Sequence, residues 1–448
     1  MKNKCRLLLT LFSILYASAT LLAQTAADTS NKVLTLKQCV EFALKNQPVV
    51  RQAAIDEAIN EKNISVSLSA WLPQVTSSGA YDYYFKGSPV TSGGTGGSTA
   101  TTTQSNINNL STLGLQANQV IYNNDVLQAA KAAKYSRQYY KQNTASSQIN
   151  VVSDVSKAFF DVLLSKRQLE ILNEDIVRLQ RSLKDAYTRY QAGVVDKTDY
   201  KQATISLNNS LASRKQTEEA IKSKIAYLKQ IMGLGAEQNF TLSYDSSKYE
   251  SEASIDTNQR LDANNRIEYQ LLQTQKNLQN VNVNYYKWGF LPSLKATGAY
   301  NLVYLSHGFS NLYNNSFPNG YVGLTLDLPI FEGGKRLHNL SKARLEVDRA
   351  DLDIVNSKNT INTEYIQALA SYKGNYASWQ MLKQNVGLAK DVYNVVSLQY
   401  REGIKTYLDV IIAQSDLRTA ELNYYNALFQ LLSSKIDLEK ALGTLTVQ

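Results

Sequence analysis

Gln399-Tyr-Arg-Glu-Gly-Ile-Lys-Thr-Tyr-Leu-Asp-Val-Ile-Ile-Ala-Gln414 is the most informative stretch of this sequence, because its pattern occurs twice. The earlier copy reads Arg189-Tyr-Gln-Ala-Gly-Val-Val-Asp-Lys-Thr-Asp-Tyr-Lys-Gln-Ala203. Four residues recur without a gap after a shift of 210 positions: Tyr190, Gly193, Asp199 and Ala203 match Tyr400, Gly403, Asp409 and Ala413. A period of this length indicates a duplicated half rather than a solenoid repeat.

The apolar residues before each copy follow the spacing of a helical seam. Their separations are 4, 3, 4, 3 and 4 residues in both copies: Leu172, Ile176, Leu179, Leu183, Ala186 and Tyr190 match Leu382, Val386, Ala389, Tyr393, Val396 and Tyr400. Such a 3.5-residue period is typical of supercoiled helices. Because a glycine follows each seam, the pattern predicts that each copy is the tip of a helical hairpin.

The first 23 residues have the pattern of a secretory signal peptide. Lys2, Lys4 and Arg6 precede the apolar run 7–15, and small residues follow it. A retained membrane anchor is the competing interpretation, but the apolar run is short for a membrane span. Beyond this leader the sequence has a single cysteine, Cys39, so it predicts no internal disulfide.

Composition argues against a nucleic-acid partner and against membrane-spanning helices. The 448 residues carry 47 Lys+Arg against 38 Asp+Glu, a formal net charge of +9, but the charges are dispersed and form no long block of one sign. After the leader, no stretch reaches the ~18 uninterrupted apolar residues of a membrane helix. If the protein enters a membrane, the sequence predicts that it does so as strands.

Two segments change from helical to strand periodicity, and Leu72-Pro73 and Leu291-Pro292 open them. We predict β-hairpins over 72–122 and 291–331, each with one apolar and one polar face. Residues 87–109 are rich in Gly, Ser and Thr and predict a flexible loop, and a loop that includes Pro318 is predicted to lead into the fourth strand. The candidate outward apolar residues are Val75, Tyr81, Tyr83, Leu113, Leu115, Leu294, Tyr300, Leu302, Val322, Leu324, Leu326 and Leu328.

The predicted fold is mixed but mainly α, with two internal structural repeats. The long helical hairpins are placed at 123–233 and 333–442. The predicted organisation is a signal peptide at 1–23, a first repeat at 24–235, a connector at 236–263 and a second repeat at 264–448.

Four strands with one apolar face cannot close a barrel within one chain, and two long free edges would invite aggregation. Three copies would supply twelve strands, which is within the range of outer-membrane barrels. The sequence therefore predicts a homotrimer in which apolar strand residues face lipid and the long helices form a tube.

The chain resembles the TolC-type outer-membrane efflux protein family. The residues that carry the resemblance span the chain beyond its leader: Leu34-Thr-Leu to Asn46-Gln-Pro48, Leu72-Pro73, Leu291-Pro292, Pro329-Ile-Phe-Glu-Gly-Gly, Tyr-x-x-Gly with a following Asp in both halves, and Ala441-Leu-Gly. Their order and duplication together are specific, although no single motif is decisive.

The resemblance implies a homotrimer with a 12-stranded barrel in the outer membrane and a periplasmic α-barrel that tapers to a gated entrance. It also implies partners, namely a periplasmic adaptor and an inner-membrane pump of RND or ABC type. By resemblance, the residues that dock the adaptor are Arg189, Tyr190, Gly193, Tyr400, Arg401 and Gly403. Asp409 is implied as the acidic entrance ring, with Asp199 as its counterpart in the first half.

An ordinary structural role for both acids stays open, because acids at helix starts are favoured by the helix dipole. Some relatives place another acid three positions after the entrance aspartate, and here that position is Ile412. A single acid ring would make the entrance less cation-selective than two.

Other functional classes fit the sequence less well. His307 and His338 are the only histidines and have no cysteine or acid at ligand spacing, so the sequence predicts no enzyme, cofactor or metal. A pore-less periplasmic coiled-coil scaffold would explain the helices but not the alternating strands. A stand-alone porin would leave the helices unexplained.

Overall fold

A computed structural model describes residues 33–86, 89–91, 102–104, 107–243 and 246–445, which form mainly helices. The predicted leader, residues 1–23, lies outside the described residues. In the first half of the chain the elements are β1 (Val33–Leu34), α1 (Leu36–Asn46), α2 (Pro48–Leu68), β2 (Gln74–Tyr83), β3 (Pro89–Thr91), β4 (Thr102–Gln104), β5 (Asn109–Tyr122), α3 (Asn124–Gln191) and α4 (Lys197–Met232). They are followed by β6 (Thr241–Leu242), α5 (Ser246–Glu252), α6 (Ile267–Lys287), β7 (Ser293–Ser306), β8 (Ser316–Asp327), α7 (Lys335–Arg401) and α8 (Tyr407–Leu442).

Two very long helices dominate the molecule. α3 has 68 residues and α7 has 67, so each is ~100 Å long at 1.5 Å per residue. No proline interrupts either helix, and the side chain of Asn123 caps α3 by accepting a hydrogen bond from the Asp125 amide at 2.7 Å. α4 packs along α3, and α8 packs along α7, each return helix having 36 residues.

Four antiparallel strands form one sheet in the order β2-β5-β7-β8. Its register places Leu113 opposite Leu302, and Leu302 opposite Pro318. Because side chains alternate between the two faces of a strand, this register puts the predicted apolar residues of β2, β5, β7 and β8 on one face. Leu328 follows the last residue of β8.

The fourth strand begins earlier than the sequence indicated. Pro318 lies inside β8, where we had expected a loop. Pro318 is the third residue of β8, and proline is tolerated near the start of a strand, where the ladder of hydrogen bonds begins. In the predicted flexible loop, residues 89–91 and 102–104 pair as a short antiparallel hairpin, and the rest of that loop lies largely outside the described residues.

The helices next to the sheet continue the order of the strands. α2, α3, α6 and α7 pack side by side in sequence, just as β2, β5, β7 and β8 do. α8 packs against α3 as well as α7, and their interface contains the main apolar core. Phe159 and Leu163 of α3, together with Leu428 and Leu431 of α8, are buried in this core.

The predicted connector, residues 236–263, forms hydrogen bonds with both α7 and α8. Its strand β6 pairs in parallel with β1. Glu250 accepts hydrogen bonds from Tyr424 Oη of α8 and Lys383 Nζ of α7, both at 2.6 Å. Farther along, Tyr372 Oη of α7 donates to the Ala253 carbonyl at 2.9 Å. This segment therefore ties α7 to α8 near the middle of the molecule.

Arg266 joins three helices at the start of α6. Its Nη1 donates to the Ala441 carbonyl in the last turn of α8 at 3.1 Å, and its Nη2 donates to Glu364 of α7 at 2.8 Å. Its Nε donates to Glu268 at 3.0 Å. The guanidinium is buried but paired on every nitrogen, which is the condition under which a buried charge is tolerated.

Candidate functional site

Two turns connect the long helices to their return helices; we call them tip 1 (residues 189–203) and tip 2 (residues 399–413). The helices end two residues before Gly193 and Gly403, whose φ angles of +70° and +79° are ones that other residues rarely adopt. In tip 1, the Val194 amide donates to the Arg189 carbonyl at 2.9 Å. The Ile404 amide does the same in tip 2, at 2.8 Å from the Gln399 carbonyl. Both turns therefore close by the same C-terminal glycine motif.

The return helices begin with different caps. Asp196 caps α4 by accepting from the Thr198 amide at 3.3 Å. α8 instead begins with a capping box between Thr406 and Asp409, in which Asp409 Oδ2 accepts from the Thr406 amide at 2.9 Å and from its hydroxyl at 2.8 Å. The structural role considered for Asp409 is thus present, and the carboxylate keeps a second oxygen for other contacts.

The two tip acids lie in different electrostatic environments. The hydrogen bonds from the Thr406 side chain and backbone, aided by Lys405 with its Nζ 3.9 Å away, hold the pKa of Asp409 below its usual range. Partial burial, together with the nearby Asp196, raises the pKa of Asp199 instead. Asp409 is therefore the acid that this environment favours as a charged group.

Tip 1 contacts tip 2 through the residues predicted to dock a partner. The Arg189 guanidinium lies over the Tyr400 ring, 4.6 Å from its centre, and Arg189 Nη2 donates to the Arg401 carbonyl at 3.2 Å. Tyr400 in turn packs against Tyr407, with ring centres 5.7 Å apart. The structure therefore brings Arg189, Tyr400 and Arg401 together.

The two predicted tip tyrosines differ in exposure. Tyr190 is 37% exposed, whereas Tyr400 is only 8% exposed because it is packed in a small apolar cluster. Val194 and Ile404, which follow the two glycines, are more exposed than either tyrosine. The sequence reasoning missed these two apolar residues, although the same 210-residue shift relates them.

A buried polar network above the tips was also missed. Asp175 of α3 accepts from Gln414 Nε2 of α8 at 2.9 Å and from Ser210 Oγ of α4 at 3.0 Å. Arg418 Nη1 donates to Ser210 Oγ at 3.0 Å and to Asp175 Oδ2 at 3.4 Å. The network joins three helices just above the tip cluster.

The two faces of the sheet have opposite chemistry. On one face, Lys295 pairs with Asp327 at 3.2 Å and Thr297 Oγ1 donates to Asn118 at 3.0 Å. The other face exposes the predicted apolar residues, with Val322 and Leu324 among the most exposed. One face can therefore line water while the other faces an apolar medium.

The described ranges contain neither a metal-binding cluster nor a membrane-spanning helix. There, no group of three or more His, Cys, Asp or Glu side chains is placed to hold a metal ion. None of the helices in the described part of the chain is long and apolar enough to cross a membrane. His307 and His338 lie on separate segments, the first after β7 and the second in the first turn of α7.

Comparison with known proteins gives a family match over most of the chain. The family described as "Outer membrane efflux protein" matches residues 40–234 and 270–444. The chain is 24% identical over 323 residues to outer membrane protein TolC of Vibrio cholerae, covering 71% of this chain and 73% of that protein. It is 22% identical over 426 residues to outer membrane protein TolC of Escherichia coli, covering 92% and 83%.

A solved structure has the same fold. The outer membrane protein VceC of Vibrio cholerae matches with a TM-score of 0.70 and 17% sequence identity, covering 91% of this chain and 96% of that one. At this level of identity the likeness concerns the fold.

Proposed function

This chain belongs to the outer membrane efflux protein family, and from that premise we propose that it is the exit duct of a tripartite efflux or type I secretion system. It is an outer-membrane protein with a long periplasmic extension, and its relatives are channel proteins rather than enzymes. In the proposed role, an inner-membrane pump of RND or ABC type delivers substrates through a periplasmic adaptor. The duct conducts them passively, because the pump supplies the energy.

The observation that carries this proposal is that the four-stranded sheet has two unpaired edges. Within the described residues, β2 and β8 each pair on one side only. Val66 and Leu72 are exposed at the edge formed by α2 and β2, and Ile330 and Phe331 are exposed at the edge formed by β8 and α7. Two unpaired strands with exposed apolar residues beside them favour closure by copies of the same chain, and three copies give twelve strands.

The closed homotrimer gives each face of the sheet a role. The apolar face contacts outer-membrane lipid, and the polar face lines a water-filled lumen. The lipid contacts come from Val75, Tyr81, Tyr83, Leu113, Leu115, Leu294, Tyr300, Leu302, Val322, Leu324, Leu326 and Leu328. The long helices continue the strands in the same order, which supports a continuous tube below the membrane.

The proposed organisation is a duplicated one. The first repeat comprises residues 24–235 and the second comprises 264–448, with a connector at 236–263 and a cleaved signal peptide at 1–23. The same succession of a helix, two sheet strands, a long helix and a return helix in both halves supports this division. The tube is therefore built from six such hairpin units in the trimer.

The tips are the proposed docking surface and gate. Docking to the adaptor uses Arg189, Tyr190, Gly193, Tyr400, Arg401 and Gly403. Because Tyr400 is mostly buried, it acts by holding the backbone of its neighbours in place. Asp409 from three copies forms the acidic entrance ring, and Asp199 supports it from tip 1. Like charges that converge in this way favour the entry of cations.

Single-channel conductance of the purified mature trimer in a planar bilayer tests the duct, with Asp409→Asn measured alongside. We expect a low, cation-selective conductance that divalent cations block in the wild type but not in the variant. Asp353→Asn is the matched control, because this exposed aspartate lies on α7 far from the tips. If Asp409→Asn forms pores with the same cation selectivity and divalent block as the wild type, the proposed duct stands and the proposed Asp409 ring is wrong.

A pore-less periplasmic scaffold is the alternative. It leaves the amphipathic sheet without a role, so it predicts that the protein is released from membranes without detergent. Heat-modifiable trimers extracted from outer membranes would contradict the scaffold. Verified, inserted trimers that reproducibly fail to conduct would favour a tightly closed tip or a pore-less scaffold over an open duct.

A further inference from the structure

A cavity of about 750 Å³ lies where the sheet meets the helices. It is lined by the start of α3, the end of α6, the start of β7, the end of β8 and the first turn of α7. We call it the junction cavity, and its lining includes Asp125, Tyr285, Leu326, Glu332 and Arg336. Its size is within the range of roughly 300–1,000 Å³ that is usual for small-molecule sites. These walls belong to one chain, so the cavity does not depend on contacts between copies.

Two cations line the junction cavity without a partner in the described part of the chain. Lys335 and Arg336 occupy the first turn of α7, and neither side chain forms a salt bridge or hydrogen bond with a described residue. The Nη1 atom of Arg336 is buried and has no hydrogen-bond partner there. Buried donors are nearly always paired, because an unpaired one loses its hydration without compensation. The two side chains are therefore suited to an anionic group that the chain itself does not supply.

The start of α7 adds to this positive potential. Its N-cap is Gly334, which offers no side-chain cap, and its first turn contains no acid. The charges of Lys335 and Arg336 therefore add to the positive end of the helix dipole, which favours an anion at this end. α3 begins in the opposite way, since Asn123 caps it and Asp125 lies in its first turn.

The cation pair is specific to the second half of the chain. Under the 210-residue shift, Lys335 and Arg336 correspond to Asp125 and Val126. Val126 is buried and apolar, so the equivalent turn of the first half forms without a cation at either position. A general need of the strand-to-helix turn therefore does not account for the pair.

Three acids also line the junction cavity, and they differ in their partners. Asp327 pairs with Lys295 at 3.2 Å. Burial, together with the charge of Asp125, raises the pKa of the neighbouring Tyr285 hydroxyl. Glu332 is exposed and forms no salt bridge within the described ranges. It is therefore the acid that is free to bind a cationic group beside the two basic residues.

The junction cavity lies at the level of lipid headgroups in the proposed barrel. Leu326 and Leu328 line it, are exposed, and belong to the residues proposed to contact lipid. Trp288 and Phe290, in the turn between α6 and β7, are also exposed. Aromatic and basic side chains concentrate where the apolar interior of a bilayer meets water. A lipid at this position can lay its acyl chains along the leucines while its headgroup enters the cavity.

We propose that the junction cavity binds the headgroup of a phospholipid that carries both a phosphate and a primary ammonium group. Arg336 and Lys335 bind the phosphate, and Glu332 accepts hydrogen bonds from the ammonium. The Lys335 amide donates to the Glu332 carbonyl at 3.1 Å, so both side chains leave one turn, yet they do not pair with each other. A zwitterionic headgroup satisfies both charges, whereas free phosphate satisfies only the cations. This inference rests on the lipid-facing sheet of the proposed function but does not require conduction.

Native mass spectrometry of the purified mature trimer tests the site, after detergent has removed endogenous lipid and one phospholipid has been added at a time. Phosphatidylethanolamine should bind more tightly than phosphatidylglycerol, which has no ammonium, and than phosphatidylcholine, whose methylated nitrogen has no N–H. The double variant Lys335→Gln with Arg336→Gln should bind phosphatidylethanolamine severalfold more weakly. Arg344→Gln is the matched control, because this exposed arginine of α7 forms no salt bridge within the described residues, and it should bind like the wild type.

Headgroup selectivity separates a direct contact from a structural role. Glu332→Gln keeps the shape of the side chain but removes its charge, so the preference for phosphatidylethanolamine over phosphatidylglycerol should disappear while phosphatidylglycerol still binds. Asp353→Asn, on the same helix as the cations but away from the cavity, should keep the preference. A general disturbance of the fold would weaken the binding of every lipid alike and would lower the thermal unfolding temperature, which circular dichroism measures.

Inorganic phosphate distinguishes a lipid site from a site for free anions. Added at the concentration of the lipid, it should leave phosphatidylethanolamine bound, and displacement of the lipid would make the proposal wrong. Equal lipid binding by the wild type and the double variant would also reject the junction cavity, while the proposed duct would stand. Intact trimers that bind the lipid through these residues but never conduct would reject the duct and keep the lipid site.

Discussion

The guanidinium carbon of Arg189 lies 4.6 Å from the centre of the Tyr400 ring, so a side chain of tip 1 covers an aromatic residue of tip 2. The same arginine donates to the Arg401 carbonyl at 3.2 Å. In the proposed duct, opening requires the two hairpins to separate at their tips. The Arg189–Tyr400 contact must then break, so in this proposal it stabilises the closed arrangement of the two tips.

We predict that Arg189→Gln raises the resting conductance, because it removes the cation over the Tyr400 ring. A cation–π contact at an exposed site contributes about 0.5–1 kcal/mol. A double-mutant cycle with Tyr400→Leu, with resting conductance as the readout, should therefore show a coupling of that size. Arg181→Gln on the same helix is the control, and strictly additive effects of the two tip substitutions would contradict this role of the contact.

The buried network around Asp175 should be a major source of stability in the lower helices. Asp175→Leu would leave Gln414, Ser210 and Arg418 without their shared acceptor in a buried site. Removal of one partner from a buried charged network costs about 3–5 kcal/mol. We expect a large drop in the thermal unfolding temperature of the purified trimer, measured by circular dichroism.

Lys215→Ala provides the comparison for Asp175→Leu. Lys215 also forms an ion pair, with Glu219 at 2.6 Å, but both side chains are at least half exposed. Exposed helical pairs contribute little to stability, because water and salt screen them. If Lys215→Ala destabilised the trimer as much as Asp175→Leu, burial of the network would not be the reason for its effect.

Glu421 should make stability fall as the pH rises. Burial raises the pKa of this carboxyl, and Arg178, 3.7 Å away, offsets only part of the effect. Between the ordinary value of 4.5 and the raised folded value, the folded protein binds more protons than the unfolded chain. The free energy of unfolding therefore decreases with pH across that window. Glu421→Gln should flatten this decrease in thermal melts recorded from about pH 2 upward.

Glu219→Gln is the control with the opposite sign. Hydrogen bonds from Lys215 and Lys222 lower the pKa of Glu219 to about 2. A lowered folded pKa gives stability that is present above the ordinary value and is lost as the pH falls through the folded one. If the unfolding temperature of Glu421→Gln depended on pH as steeply as that of the wild type, the Glu421 carboxyl would not be the group that titrates in this window.

The faces of the strands could be predicted from the sequence because the side-chain period of a strand is fixed at two. Leu113 and Leu302 were assigned to one face from alternation alone, and the register places them opposite each other. The start of β8 was less predictable. Pro318 argued against a strand at its position, and a local pattern does not reveal where along β7 the pairing of β8 begins.

Contacts between distant segments of the chain were beyond the sequence reasoning. Asp175 and Gln414 are separated by 239 residues, and nothing in the seam spacing distinguishes a polar residue that meets a partner from one that faces water. Burial of Tyr400 likewise depends on Tyr407 across the turn. The motif predicted which residues lie at the tips, while their exposure depends on how the two hairpins pack.

An arginine on each face of β8 should separate the lipid-facing role from general effects on the sheet. Leu324 and Thr325 are adjacent and both exposed, but alternation puts Leu324 on the apolar face and Thr325 on the polar one. An arginine that faces lipid near the bilayer midplane costs about 2–4 kcal/mol, whereas one that faces a water-filled lumen avoids this cost. We therefore expect Leu324→Arg to reduce the yield of heat-modifiable trimers in outer membranes and Thr325→Arg to leave it close to wild type. Equal losses in both variants would mean that the apolar face of the sheet does not contact lipid.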